Sequence, residues 1–66
     1  MITFDPLWKT MKEKNVSQYK LVKEYGFSFG QLDRFRKNAN VNLLTIDTLC
    51  KILDCDISDV VDYKKD

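Results

Sequence analysis

Gly26, with Ser28 two residues on and Gln31 three beyond that, constrains this chain more than any other stretch. Glycine takes a positive φ without a Cβ clash, so it can end a helix and turn the chain. A serine followed three positions later by glutamine has the spacing of a capping box, which starts another helix. Before the glycine, Leu21, Val22 and Tyr25 recur at helical spacing, and Ser17 can cap that run. After it, Leu32 and Phe35 give the second helix an apolar face, while Asp33, Arg34, Arg36 and Lys37 keep its other sides polar and mostly basic. Residues 17–37 therefore read as two short helices, about 18–24 and 29–37, around one tight turn. Helices this short are marginal alone in water, so other helices must hold them.

The flanking segments can supply those helices. Asp5-Pro6 is a good helix start, with the carboxylate as cap and proline in the first turn. Leu7, Trp8, Met11 and Val16 then form the inner face of a helix over about 6–14, with Trp8 as a core anchor rather than a ligand-stacking residue. Asn38 is suited to left-handed geometry where the 29–37 helix ends. Val41 to Leu44 reads as a loop whose apolar residues tuck inward. Thr45 can cap the next helix, in which Ile46, Leu49, Cys50 and Leu53 make one buried stripe. Asp56 can cap a brief fifth helix with Ile57, Val60 and Val61 turned inward. The β-favouring segments Ile2–Phe4 and Val60–Lys64 can pair as short strands, within one chain or between two.

Sixty-six residues make one domain, 1–66. Two glycines and one proline argue against a turn-rich all-β fold and for a compact all-α one. The longest apolar runs fall far short of the roughly 20 residues that span a membrane, and the start of the chain lacks the pattern of a signal peptide. The expected compartment is the cytoplasm. Cys50 and Cys55 then read as small buried thiols. With two cysteines and no histidine, the chain alone cannot assemble a four-ligand zinc site. No paired-carboxylate cleft or phosphate-binding glycine loop suggests an enzyme, and no cofactor is expected. Charge is unevenly spread: residues 1–40 hold eight Lys/Arg against four Asp/Glu, and residues 41–66 hold three against six. The basic portion contains the two-helix unit, so that face can meet a polyanion.

The stretch S-Q-Y-K-L-V-K-E-Y-G-F-S-F-G-Q-L-D-R-F at 17–35 resembles the helix-turn-helix signature of the Cro/cI-type (lambda-repressor-like, XRE) family. Gln18, Leu21, Val22, Gly26, Ser28 and Leu32 occupy the signature positions. The run T-I-D-T-L-C-K-I-L-D-C-D-I-S-D-V-V at 45–61 is similar to the last two helices of that family, and P-L-W-K at 6–9 to the start of its minimal members. The resemblance implies an all-α, lambda-repressor-like five-helix bundle and a sequence-specific regulator of transcription, a repressor in the leading reading, bound to double-stranded DNA as a homodimer. Three positions depart from the pattern. Val22 replaces the usual alanine, Asn38 stands where many members have glycine, and Phe29 with Gly30 fills positions that often carry polar base readers.

Docked in the manner of this family, the second helix of the pair lies in the major groove with its N-terminal residues at the base edges. Ser28 and Gln31 then face bases or nearby phosphates, although Gln31 can instead serve only the capping box. Phe29 can touch a thymine methyl, and Gly30 offers no side chain. Arg34 can make a bidentate contact to guanine. Gln18 meets the phosphate backbone at the start of the preceding helix, and Arg36, Lys37 and Asn38 are phosphate candidates at the far end. Ile57, Val60, Val61 and Tyr63 form the candidate self-association surface. No pocket for a small-molecule effector is evident. The competing reading is a protein-interaction module that keeps the fold without specific DNA binding, suggested by Phe29 beside Gly30.

Overall fold

The computed structural model describes all 66 residues. Four α-helices follow a short strand: β1 (Ile2–Thr3), α1 (Asp5–Glu13), α2 (Gln18–Tyr25), α3 (Phe29–Arg36) and α4 (Leu43–Leu53). A 3₁₀ turn at Ile57–Asp59 and strand β2 (Asp62–Tyr63) complete the chain. The two strands pair antiparallel, Ile2 opposite Tyr63 and Thr3 opposite Asp62, within the one chain. The Met1 ammonium extends this ribbon by donating to the Lys64 carbonyl at 2.7 Å. No helix is long and apolar enough to cross a membrane.

The core is a stack of side chains sent inward by all four α-helices. Leu7 and Met11 come from α1, Leu21 from α2, Leu32 and Phe35 from α3, and Ile46, Leu49 and Leu53 from α4. Phe35 sits at its centre with no exposed surface. Its ring lies 5.1 Å from that of Phe4 and 6.2 Å from that of Phe27, both tilted. Such tilted aromatic pairs add about 0.5–1.5 kcal/mol beyond their burial. Phe4 and Phe27 thereby anchor the N-terminal ribbon and the α2–α3 turn to the same point. Across the molecule, the Thr10 hydroxyl donates to the Asp59 carbonyl at 2.7 Å and holds the 3₁₀ turn against α1.

Several expectations need correction. Asp5 does not cap α1: it is the first helical residue, after Phe4, and its carboxylate is turned to the Lys64 ammonium at 3.0 Å. Asn42, not Thr45, caps α4, its Oδ1 accepting the Leu44 N–H at 2.7 Å. The helix therefore begins three residues earlier, and Leu43 and Leu44 point into solvent instead of tucking inward. The fifth helix is a single 3₁₀ turn, because only three residues separate Asp56 from Val60. Val60 is buried and belongs to the core, whereas Ile57 is exposed. Tyr25 is exposed, and Trp8 is only half-buried, packed against the rim of the core. Cys50 and Cys55 are likewise half-buried free thiols. They meet at the end of α4, where the Cys55 N–H donates to the Cys50 carbonyl at 3.1 Å. Burial, then the neighbouring Cys50, pushes the Cys55 thiol above its ordinary range.

Candidate nucleic-acid interface

The turn between α2 and α3 is built as its sequence directs. Ser17 accepts the Lys20 N–H at 3.0 Å and starts α2. Gly26 ends it at φ 75°, in the left-handed region. The buried ring of Phe27 then fastens the turn to Phe35, a role the sequence reading missed for want of any periodic signal in a three-residue turn. Ser28 opens α3 with a complete capping box: its hydroxyl accepts the Gln31 N–H at 3.1 Å, and the Gln31 Oε1 accepts the Ser28 N–H at 2.8 Å. The first turn of α3 is thus fixed before any ligand arrives.

The candidate site residues divide into an outward group and a clasp. Ser28, Phe29 and Gly30 form the leading edge of α3 and are all exposed, Phe29 at 64%. Arg34 lies one turn along, also exposed, with no carboxylate within ion-pair distance. Gln31 is half-buried, its carbonyl committed to the capping box. Arg36 forms the clasp between the two helices, since its Nη2 donates to the Gln18 Oε1 at the start of α2. Its other Nη lies 3.8 Å from Asp33, whose second oxygen accepts from Lys37 at 2.9 Å. The Lys37 hydrogen bond, followed by the charges of Lys37 and Arg36, holds the Asp33 carboxyl below its usual range. Lys20 pairs more loosely with Glu24 at 3.7 Å.

Asn38 departs from its expected place. Its backbone is left-handed at φ 54°, as its position after α3 requires. Its side chain faces inward, however, where Oδ1 accepts the Phe4 N–H at 2.7 Å. The amide oxygen is therefore committed to the ribbon, and only the Nδ2 donors are left for a phosphate. In its place the structure brings up residues outside the sequence reading. Asn40, Asn42 and Thr45 join Gln31 and Arg34 around a groove of about 430 Å³ between α3 and the start of α4. Asn42, as the cap of α4, was the one local signal for it. The positive end of the α4 dipole and a free guanidinium suit an anion. No cluster of three or more His, Cys, Asp or Glu side chains comes together to hold a metal.

Comparison with known proteins agrees with this geometry. The crystal structure of the transcriptional regulator VanUg superposes with a TM-score of 0.85, at 25% identity over 98% of this chain and 87% of that one. No curated protein sequence matches. A family model described as the Cro/C1-type HTH DNA-binding domain aligns with residues 6–66. Spanning the turn, its capping box and both helices beyond, that match establishes that the chain belongs to the Cro/C1-type HTH DNA-binding domain family.

Proposed function

We propose that the protein is a sequence-specific regulator of transcription, a repressor, that reads the major groove of double-stranded DNA with α3 and binds as a homodimer. The observation that carries this reading is the leading edge of α3: a rigidly capped helix start whose exposed side is followed by an unpaired Arg34. In this docking mode Ser28, Phe29 and Gly30 approach the base edges, with the free amide nitrogen of Gln31 beside them. Arg34 reads guanine through two parallel hydrogen bonds, a contact that discriminates by about 1–3 kcal/mol. Gln18, Arg36 and Lys37 hold the phosphates on either side, and the groove beside Asn42 and Thr45 takes another. Asn38 supports the site through the ribbon behind it, with its Nδ2 donors turned to a phosphate. VanUg, a transcriptional regulator of the same fold, supports the regulatory role.

Selection of bound duplexes from a random pool tests the reading. It predicts a recovered motif with two-fold symmetry and half-sites about 34 Å apart. Arg34→Ala is expected to weaken the selected site about 10-fold or more and random DNA far less. Equal losses on both would remove Arg34 from base readout.

One observation favours a second reading. Phe29 is 64% exposed beside a glycine, an arrangement suited to a protein contact. Under that reading the random pool yields no motif, and Phe29→Ala releases a stoichiometric protein partner.

A further inference from the structure

Residues 38–46, Asn-Ala-Asn-Val-Asn-Leu-Leu-Thr-Ile, contain no charge in a chain that is 32% charged. They run from the end of α3, through the connecting loop, into the first turn of α4. Here stand the two most exposed large apolar side chains of the molecule, Leu43 at 79% and Leu44 at 73%. The Asn42 cap fixes them in place by starting α4 at Leu43. Beside Leu43 lies an apolar hollow of about 270 Å³, walled by Ile2, Phe4, Val41, Ile46 and Val61. Leu43 is three residues from Ile46 and so lies on the same side of α4 as the core stripe, yet nothing in the chain covers it.

A projecting apolar side chain beside an apolar hollow is complementary to itself. A two-fold rotation brings the projection of each copy to the hollow of the other, which is the condition for an isologous contact. Such a rotation also sets each charge near its own image, and a strip without charges escapes that repulsion. A different protein would ordinarily be selected by complementary charge, and this strip offers no charge to select with. We propose that Val41–Leu44 and the adjoining hollow form the contact between two copies of this chain. This inference rests on, and deepens, the homodimer reading above, and it moves the contact away from Val60, which is core. Asn40 and Val41 line both this hollow and the groove beside Arg34. The contact therefore borders the face assigned to DNA and joins the α3 helices of two copies through their flanks.

The patch also sets the strength. A stable interface engages about 20–30 residues a side, and the strip with its hollow supplies far fewer. The pair is accordingly weak in free solution and becomes firm when one duplex holds both copies, where the effective concentration reaches millimolar.

The first test needs no DNA. Amide spectra recorded from about 20 µM to about 1 mM chain should show concentration-dependent shifts confined to residues 38–46, Ile2 and Val61. The double substitution Leu43→Ser, Leu44→Ser removes two solvent-facing side chains, so it should leave the fold intact and abolish those shifts. No shifts across that range, or shifts centred on Ile57 and Tyr63, would overturn the proposal. The second test uses selected duplexes with one or two half-sites. The unsubstituted chain should fill the second half-site at least about 10-fold more tightly than a lone one, and the double variant should lose that factor while keeping its single-site affinity; retained cooperativity in the variant overturns the proposal. If no duplex is selected but the shifts at 38–46 persist, the pairing stands and the DNA reading falls.

Discussion

Asn38 performs two tasks that substitution can separate. Its backbone is left-handed, and its side chain accepts the N–H of Phe4, a residue only 2% exposed. Alanine forfeits both. The left-handed conformation costs a residue with a Cβ about 1–2 kcal/mol, and leaving a buried N–H unpaired costs about 1–3 kcal/mol. Asn38→Ala should therefore destabilise the fold by roughly 2–5 kcal/mol, a large share of the approximately 3–10 kcal/mol expected for a domain of this size. Glycine restores the backbone but not the acceptor, so Asn38→Gly should cost about 1–3 kcal/mol. Aspartate keeps an acceptor and tolerates the left-handed region, so Asn38→Asp should cost least. Urea unfolding followed by the fluorescence of Trp8 measures the series. DNA affinity per folded molecule should change far less than stability in the alanine and glycine variants. The reasoning fails if glycine and alanine are equally damaging, or if alanine leaves stability untouched and weakens DNA binding instead.

Other expectations follow from the same contacts. Thr3 is buried with its hydroxyl unpaired, so Thr3→Val should raise the urea midpoint, by about 1–2 kcal/mol in stability; a loss would mean that the hydroxyl has a partner in solution. Asp33 occupies Arg36 and Lys37, so Asp33→Asn should free them for phosphate and steepen the dependence of log K on log salt by about 1. Removing the exposed pairs themselves should leave stability almost unchanged. Asp33 titrates lower folded than unfolded, so its contribution is present above the unfolded carboxylate value of about 3.9 and disappears as pH falls through the folded one. Lys64 titrates higher folded, through its hydrogen bond to Asp5, so its contribution is complete below about 10.4 and is lost as pH rises through the folded value. NMR titration of the Asp33 carboxyl and the Lys64 ammonium checks both signs.

What could be read in the sequence was what local chemistry decides. Gly26, Ser28 and Gln31 determine a turn and a capped helix through atoms within five residues of one another, and all three do what their types suggest. The α4 stripe was legible for the same reason, since Ile46, Leu49 and Leu53 declare a face by spacing alone. Burial and side-chain direction depend on what arrives from elsewhere. Leu43 continues the stripe of Ile46 by spacing, yet it is exposed because no other element reaches it. Phe4 carries no periodic signal and is nevertheless central, because Phe35 meets it from α3. The backbone of Asn38 was readable from its position, but its amide is claimed by a residue 34 positions away. For the candidate site, the leading edge of α3 was visible beforehand. The Arg36–Gln18 clasp and the Asn42–Thr45 groove required the helices to be in place.

The helix ends also hold an unused reserve of stability. Asn15, Asn38 and Asp54, which follow α1, α3 and α4, all have positive φ although none is glycine. Only the end of α2, inside the two-helix unit, uses glycine. Asn38 earns its place through Phe4, but the side chains of Asn15 and Asp54 make no hydrogen bond or ion pair that would offset the conformation they hold. Glycine at either position would relieve the backbone at some entropic cost, for a net gain of up to about 1 kcal/mol each. Hardening this protein against heat can therefore begin at two points outside α2, α3 and the turn that joins them.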